Sequence, residues 1–220
     1  MMNLIATVVW FAAAVGQTED PKKAAPSVKD PALRQELLDR VKTDQAARMA
    51  LINWMKKHGA GGIVVINQLT PEQKAENEKL SAAVEKADTE NTKRLTEIVD
   101  KHGWPTISLV GKDGANAAWL LVQHADKDPK FQRKCLDLMT SASKADVSQI
   151  EVAYLTDRVL LAEGKKQRYG TQFMSANGKW EPRPLEDPAN VDQRRKEVGL
   201  PPLAEYVKQL ESLYGKAGKK

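Results

Sequence analysis

The segment from Ala115 to His124 constrains this chain more than any other. Ala117, Ala118, Trp119, Leu120, Leu121 and Val122 leave a helix there with almost no polar face. A helix that is apolar all round is expected to be buried on every side. Its last residues are Gln123 and His124, with Asp126 just beyond. An amide, an imidazole and a carboxylate therefore arrive together at the end of a water-excluded element. A helix C-terminus favours positive charge and would support a protonated His124.

The flanking segments carry helix signals of the ordinary amphipathic kind. Asp30-Pro31, Thr70-Pro71 and Asp128-Pro129 each place a capping side chain before a proline in the first turn. The first of these opens a helix to about Lys57, closed by His58-Gly59. Its apolar stripe is Leu33, Leu37, Val41, Leu51 and Met55, widened by Leu38, Met49 and Ile52. Gly59 to Ile66 is a glycine-containing loop and a short apolar run, readable as loop or strand. Neither Gly-Lys-Ser/Thr nor G-x-G-x-x-G follows it, so it is no phosphate cradle.

The second helix runs to about Lys101 with Leu80, Val84, Ala87, Leu95 and Ile98 on one face. Asn91 falls in the middle of that face, and His102 continues it past the last turn. A buried amide must find partners or cost about 1–3 kcal/mol. Asn91 is thus either a structural link between helices or a ligand contact. Gly103-Trp104-Pro105 breaks the helix; Ile107 to Val110 reads as extended and Gly111 to Gly114 as a turn. After Asp128, Phe131, Cys135, Leu138, Met139 and Ala142 form a core stripe with Gln132 at its edge. Cys135, the sole cysteine, reads as an inert core residue.

Val147 to Ala162 forms another apolar helix. It carries Asp157 and Arg158 among Ile150, Tyr154 and Leu161 by helical angle. Buried charges need partners. Asp157 is then a structural cap or ion-pair member, or the carboxylate that orients His124. Gln167 to Met174 and Lys179 to Arg183 read as two strands around the Asn177-Gly178 turn. That reading puts Gln167, Tyr169, Thr171 and Phe173 on one face, and Gly170 where another group approaches closely. A last helix bears Leu203, Tyr206, Val207, Leu210 and Leu213. The expected architecture is mainly α, a single-domain helical fold over residues 30–215 with a small C-terminal β-hairpin.

Outside it, Leu4 to Val15 is apolar, and Ala14-Val15-Gly16 offers a cleavage site before Gln17-Thr18-Glu19-Asp20. This layout is that of a signal peptide over residues 1–16, although its start lacks Lys and Arg. An N-terminal helix or a short membrane anchor are the alternatives. Export to the periplasm or the medium is expected, with residues 17–29 as a polar linker and no stable membrane insertion after cleavage. Residues 216–220 form a basic tail. The net charge of +5 is scattered and not interleaved with aromatics, so no nucleic-acid partner is expected.

Several motifs occur together and in order: His102-Gly-Trp-Pro105, Gln123-His-Ala-Asp126 with Phe131-Gln132, and Tyr154-Leu-Thr-Asp-Arg158. Gln167-Arg-Tyr-Gly-Thr-Gln172, Asp192-Gln-Arg-Arg195 and Gly199-Leu-Pro-Pro-Leu203 follow, and Asp88 and Asn91 fit the same pattern. Over roughly Asp88 to Tyr206 the chain resembles an uncharacterised bacterial family, the domain of unknown function 6624. That resemblance implies no activity.

Three functions fit these residues. One is an enzyme with His124 as proton carrier, oriented by Asp157 or Asp126, acting on a small polar substrate. Its binding residues would come from Asn91, His102, Gln123, Gln132, Arg158, Gln167, Tyr169, Thr171 and Gln172. The second is a non-catalytic module for a small ligand or a cell-envelope partner. The third is a polar network that only fixes the fold. No metal is expected, since three histidines and no His-Glu-x-x-His leave only mixed sets such as His124 with Asp126 or Asp157. No G-x-S-x-G supports a serine hydrolase. The sequence leaves any cofactor and the oligomeric state open.

Overall fold

Local capping chemistry starts the helices where the sequence marks them. In the computed structural model, which describes residues 28–59, 64–176 and 179–214, α1 spans Pro31–His58 and α2 spans Pro71–His102. The Asp30 carboxylate accepts from the Leu33 amide at 2.9 Å. Thr70 Oγ1 accepts from the Gln73 amide, and Gln73 Oε1 accepts in return from the Thr70 amide. This reciprocal pair satisfies two donors that a helix N-terminus otherwise leaves open. A short 3-10 turn, Ile66–Gln68, precedes α2; Ala60 to Ile63 lie outside the described residues.

The central helix is longer than its sequence suggests. Helix α3 spans Ile107–Gln123, and Ile107 to Val110 form a helical turn rather than an extended piece. The reason is Gly111, whose φ of 76° and ψ of 165° re-aim the chain between two helical stretches. A side chain there would be strained and would crowd Asp113 and Val28. As expected, α3 is enclosed. It packs on α1, α2, α4 (Pro129–Ser141) and α5 (Gln149–Ala162). Val110, Ala118, Leu121 and Val122 are at or near zero exposure. Cys135 lies in this same core, and burial pushes its thiol up to about 12. It is inert at neutral pH.

The α1 face differs from the expected stripe. Leu33 and Leu37 are buried, but Leu51 and Met55 are only partly so. Asp44, Arg48 and Trp54 take the inward positions instead. Asp44 lies seven residues beyond Leu37 and Arg48 four beyond that, so the helical period itself carries two charges inward.

The C-terminal third wraps over α5. Strands β1 (Phe173–Ala176) and β2 (Lys179–Pro182) pair antiparallel, with Phe173 opposite Pro182 and Ala176 opposite Lys179. The hairpin is therefore shorter than expected. Residues 167–172 form a loop, so Gln167, Tyr169, Thr171 and Phe173 do not share one strand face. Gly170 has a φ of 66°, and a Cβ there would stand 2.9 Å from Leu203, the close approach its sequence position suggests. Two further helices follow, α6 (Val191–Glu197), which the sequence reading did not anticipate, and α7 (Leu203–Tyr214). The wholly buried Arg195 of α6 donates to the carbonyls of Pro201, Tyr169 and Gly170, clamping α7 onto the loop.

The described residues are thus mainly helical, with seven α-helices and one two-stranded sheet. No helix among them is long and apolar enough to cross a membrane. The signal-peptide segment, most of the polar linker and the basic tail lie outside the described residues.

Candidate functional site

A ladder of aromatic rings ties the central helix to the C-terminal wrap. Trp119 meets Tyr154 edge-on at 6.0 Å between centroids, Tyr154 meets Tyr206 at 6.3 Å, and Tyr206 meets Phe173 at 5.4 Å. Above these rings lies a cavity of about 380 Å³, within the size range of small-molecule sites. Its other walls are polar: the end of α3 brings Gln123 and His124, α5 brings Arg158, and the loop after it brings Thr171 and Gln172. Asp126 and Gln132 line its rim, and Arg183 reaches in from the chain after β2.

Among these groups the bonding is specific and incomplete. Arg158 Nε donates to Gln123 Oε1 at 2.9 Å, and its Nη1 donates to Asp126 at 2.6 Å. Gln132 Nε2 donates to the Val122 carbonyl at 3.0 Å and to Asp126 at 3.3 Å, holding the turn after α3. The amide nitrogen of Gln123 is buried and has no hydrogen-bond partner among the described residues. Such an orphaned donor costs about 1–3 kcal/mol and is uncommon in a settled core.

His124 is 8% exposed and forms part of the cavity wall. Its Nδ1 lies 3.0 Å from Oδ2 of Asp44, in a close contact whose N–H direction is imperfectly aligned. This corrects the expectation for Asp157. The carboxylate behind His124 comes from α1, not α5. Burial lowers the His124 pKa; Asp44 partly opposes this, while the charges of Arg48 and Arg158 add to it. The helix-end position therefore does not yield the expected protonated imidazole, because desolvation outweighs it. Burial works to raise Asp44, but His124 and Arg48 outweigh that and hold its carboxyl below the ordinary range. In a neutral ring, a proton on Nδ1 would face the Asp44 carboxylate. That tautomer would leave Nε2 as the acceptor.

Behind this pair lies a second carboxylate. Arg48 Nε donates to Asp44 at 3.2 Å, and its Nη2 donates to Asp88 of α2. Burial pushes the Asp88 carboxyl up to about 6 even with Arg48 beside it. Asp44, Asp88 and His124 offer three ligand atoms within 4.8 Å of one another. That is a mixed His and carboxylate set, with carboxylates other than those the sequence suggested. The guanidinium of Arg48 bonds both carboxylates and already supplies the positive charge a cation would bring. A metal would have to displace it.

Other residues marked from sequence stand elsewhere. Asp157 is wholly buried and accepts four hydrogen bonds, from the amides of Arg168, Tyr169 and Thr171 and from Thr171 Oγ1, at 2.7–2.9 Å. It shapes the loop that carries Thr171 and Gln172. Gln167 closes the base of that loop, donating to the carbonyls of Gln172 and Arg183 and accepting from the Gln172 amide. Tyr169 is half-buried beneath Arg168, off the cavity wall. Asn91 is buried and accepts from Arg40 across the α1–α2 contact, the structural alternative. His102 is exposed at the end of α2 and does not line the cavity.

Asp44 and Arg183 were missed from sequence. Asp44 was legible as a charge at a buried-face spacing from Leu37. Arg183 carried no sequence signal.

Against this geometry, the model of one protein family, described as a family of unknown function (DUF6624), matches residues 31–219. No curated protein and no solved structure matches the chain.

Proposed function

We propose, for a chain that belongs to the DUF6624 family, that the cavity binds a small polar molecule and that His124 moves a proton on it. One observation carries the reading. The buried carboxylate of Asp44 stands 3.0 Å from Nδ1 of an imidazole that forms part of the cavity wall. A carboxylate behind a histidine fixes its tautomer and stabilises the imidazolium that forms when it takes a proton. Gln123 and Arg158 position the substrate, and Trp119, Tyr154 and Tyr206 exclude water from one side of it. Because the His124 pKa lies below its ordinary 6.5, the base form persists into mildly acidic solution, and the acid limb of activity falls below pH 6.5.

A thermal-shift screen of small polar metabolites, wild type against His124→Ala, tests this. A ligand response lost in a variant with unchanged circular dichroism supports the reading; a variant that only unfolds supports a structural role. The unpaired amide of Gln123 also favours a second reading, a binding module without turnover. It predicts the same ligand response with no product by mass spectrometry.

Export belongs to this proposal as well. It rests on the apolar Leu4 to Val15 and the small residues after it. Mature protein from the native cell would begin near Gln17; an intact Met1 would overturn it.

A further inference from the structure

We infer that the molecule this cavity takes is an amphiphilic monocarboxylate, with an aromatic or aliphatic body against the rings and its carboxylate between Arg158, Arg183 and Gln123. This rests on the cavity being a ligand site and names what enters it.

The charges lining the cavity are two guanidiniums, Arg158 and Arg183, against one carboxylate, Asp126. Arg158 pairs with Asp126, while Arg183 has no ion-pair partner among the described residues, which matches a monoanion rather than a phosphate dianion. The free bonding capacity is also one-sided. Arg158 spends Nε and Nη1 on Gln123 and Asp126, and its Nη2 makes no hydrogen bond among the described residues. The Arg183 side chain is half-buried and makes none among them either. Gln123 Nε2 is a third donor without a partner among the described residues, buried beside Arg158, which donates to the same side chain's oxygen. Planar N–H donors of this kind match the two oxygens of a carboxylate.

The cavity lining also includes Trp119, Tyr154, Phe173 and Tyr206 with Leu161 and Leu210. They form an apolar surface large enough for a ring or a short chain. The volume is more than twice the roughly 150 Å³ that accommodates benzene, leaving room for the charged end.

Isothermal titration of the full chain at pH 7 with phenylacetate, phenylacetamide and phenyl phosphate tests the assignment. Phenylacetate is expected to saturate at up to about millimolar concentration. The neutral amide should bind at least about tenfold more weakly, the value of one charge-assisted hydrogen bond. Arg183→Gln, which removes no side-chain hydrogen bond among the described residues, should weaken phenylacetate by a similar factor and leave the amide unchanged.

Equal binding of acid and amide, or tighter binding of the phosphate, overturns the ligand class while leaving the cavity a site. Absence of saturation by all three probes overturns both. Phenylacetate binding with a His124 NMR titration that stays at its ordinary midpoint keeps the ligand class and removes the proton-transfer role.

Discussion

Two buried aspartates of this protein illustrate opposite uses of the same group. Asp157 accepts four hydrogen bonds and faces no open donor. Asp44 shares one guanidinium with Asp88 and backs an imidazole whose far nitrogen has no partner among the described residues. Nearby, the Gln123 amide is orphaned as well. The first arrangement is closed and holds a loop in place. The second leaves a glutamine amide and an imidazole nitrogen without hydrogen-bond partners among the described residues, on side chains that line a cavity. Asp44 also accepts hydrogen bonds, from Arg48 and Gln45; what sets it apart from Asp157 is the imidazole and the cavity wall beside it.

Removing the closed network should cost most. Asp157→Ala leaves three backbone amides and the Thr171 hydroxyl unpaired in the core, and is expected to lose about 3–5 kcal/mol in urea denaturation. A loss below about 1 kcal/mol would break the contrast.

A third carboxylate, Glu151 on α5, lies between the two cases. It accepts from Asn116 at 2.7 Å, and burial pushes its pKa from 4.5 up to about 7. Below pH 4.5 both folded and unfolded chains hold the proton. Between 4.5 and about 7 the unfolded chain gives it up while the folded one keeps it, so stability falls as pH rises through this window. Glu151→Gln keeps an oxygen for Asn116 and abolishes that slope. It should raise stability by about 2 kcal/mol at pH 8 and leave it unchanged at pH 4, read from urea curves at both.

In the open network, stability and binding should part company. Gln123→Met removes an unpartnered buried amide but also the acceptor of Arg158 Nε. The two effects oppose, so stability should change by less than about 1 kcal/mol while the thermal shift with phenylacetate disappears. Asp44→Asn sharpens the same point spectroscopically. Asp44 acts to raise the His124 pKa against burial, so its loss should move the imidazole titration to still lower pH in a histidine NMR experiment. The smallest effect belongs to His102→Ala, an exposed site where stability should change by less than about 0.5 kcal/mol in thermal melts.

Much of the fold was legible because it is written locally. Asp30, Thr70 and Asp128 cap the helices they precede, the apolar run around Trp119 is enclosed, and Phe173–Ala176 pairs with Lys179–Pro182, the Asn177-Gly178 turn read between them lying outside the described residues. The site was legible in part. Gln123, His124, Asp126, Gln132, Arg158, Thr171 and Gln172 do meet at one cavity. Gln167 and Tyr169 do not line it, because the chain before Phe173 curls around Asp157 instead of extending. That curl depends on a carboxylate ten or more residues earlier, which strand alternation cannot register.

Short-range rules, the helical period and the capping of chain ends, therefore set by themselves where the helices run and which side chains turn inward. They delivered an imidazole to the end of an enclosed helix. Which carboxylate would stand behind it was a matter of packing: α1 crosses α3 and sets Asp44 against His124 across 80 residues of chain. Such a pairing is decided by how helices stack in space, and the energy of a buried charge depends on that neighbour far more than on its own place in the sequence.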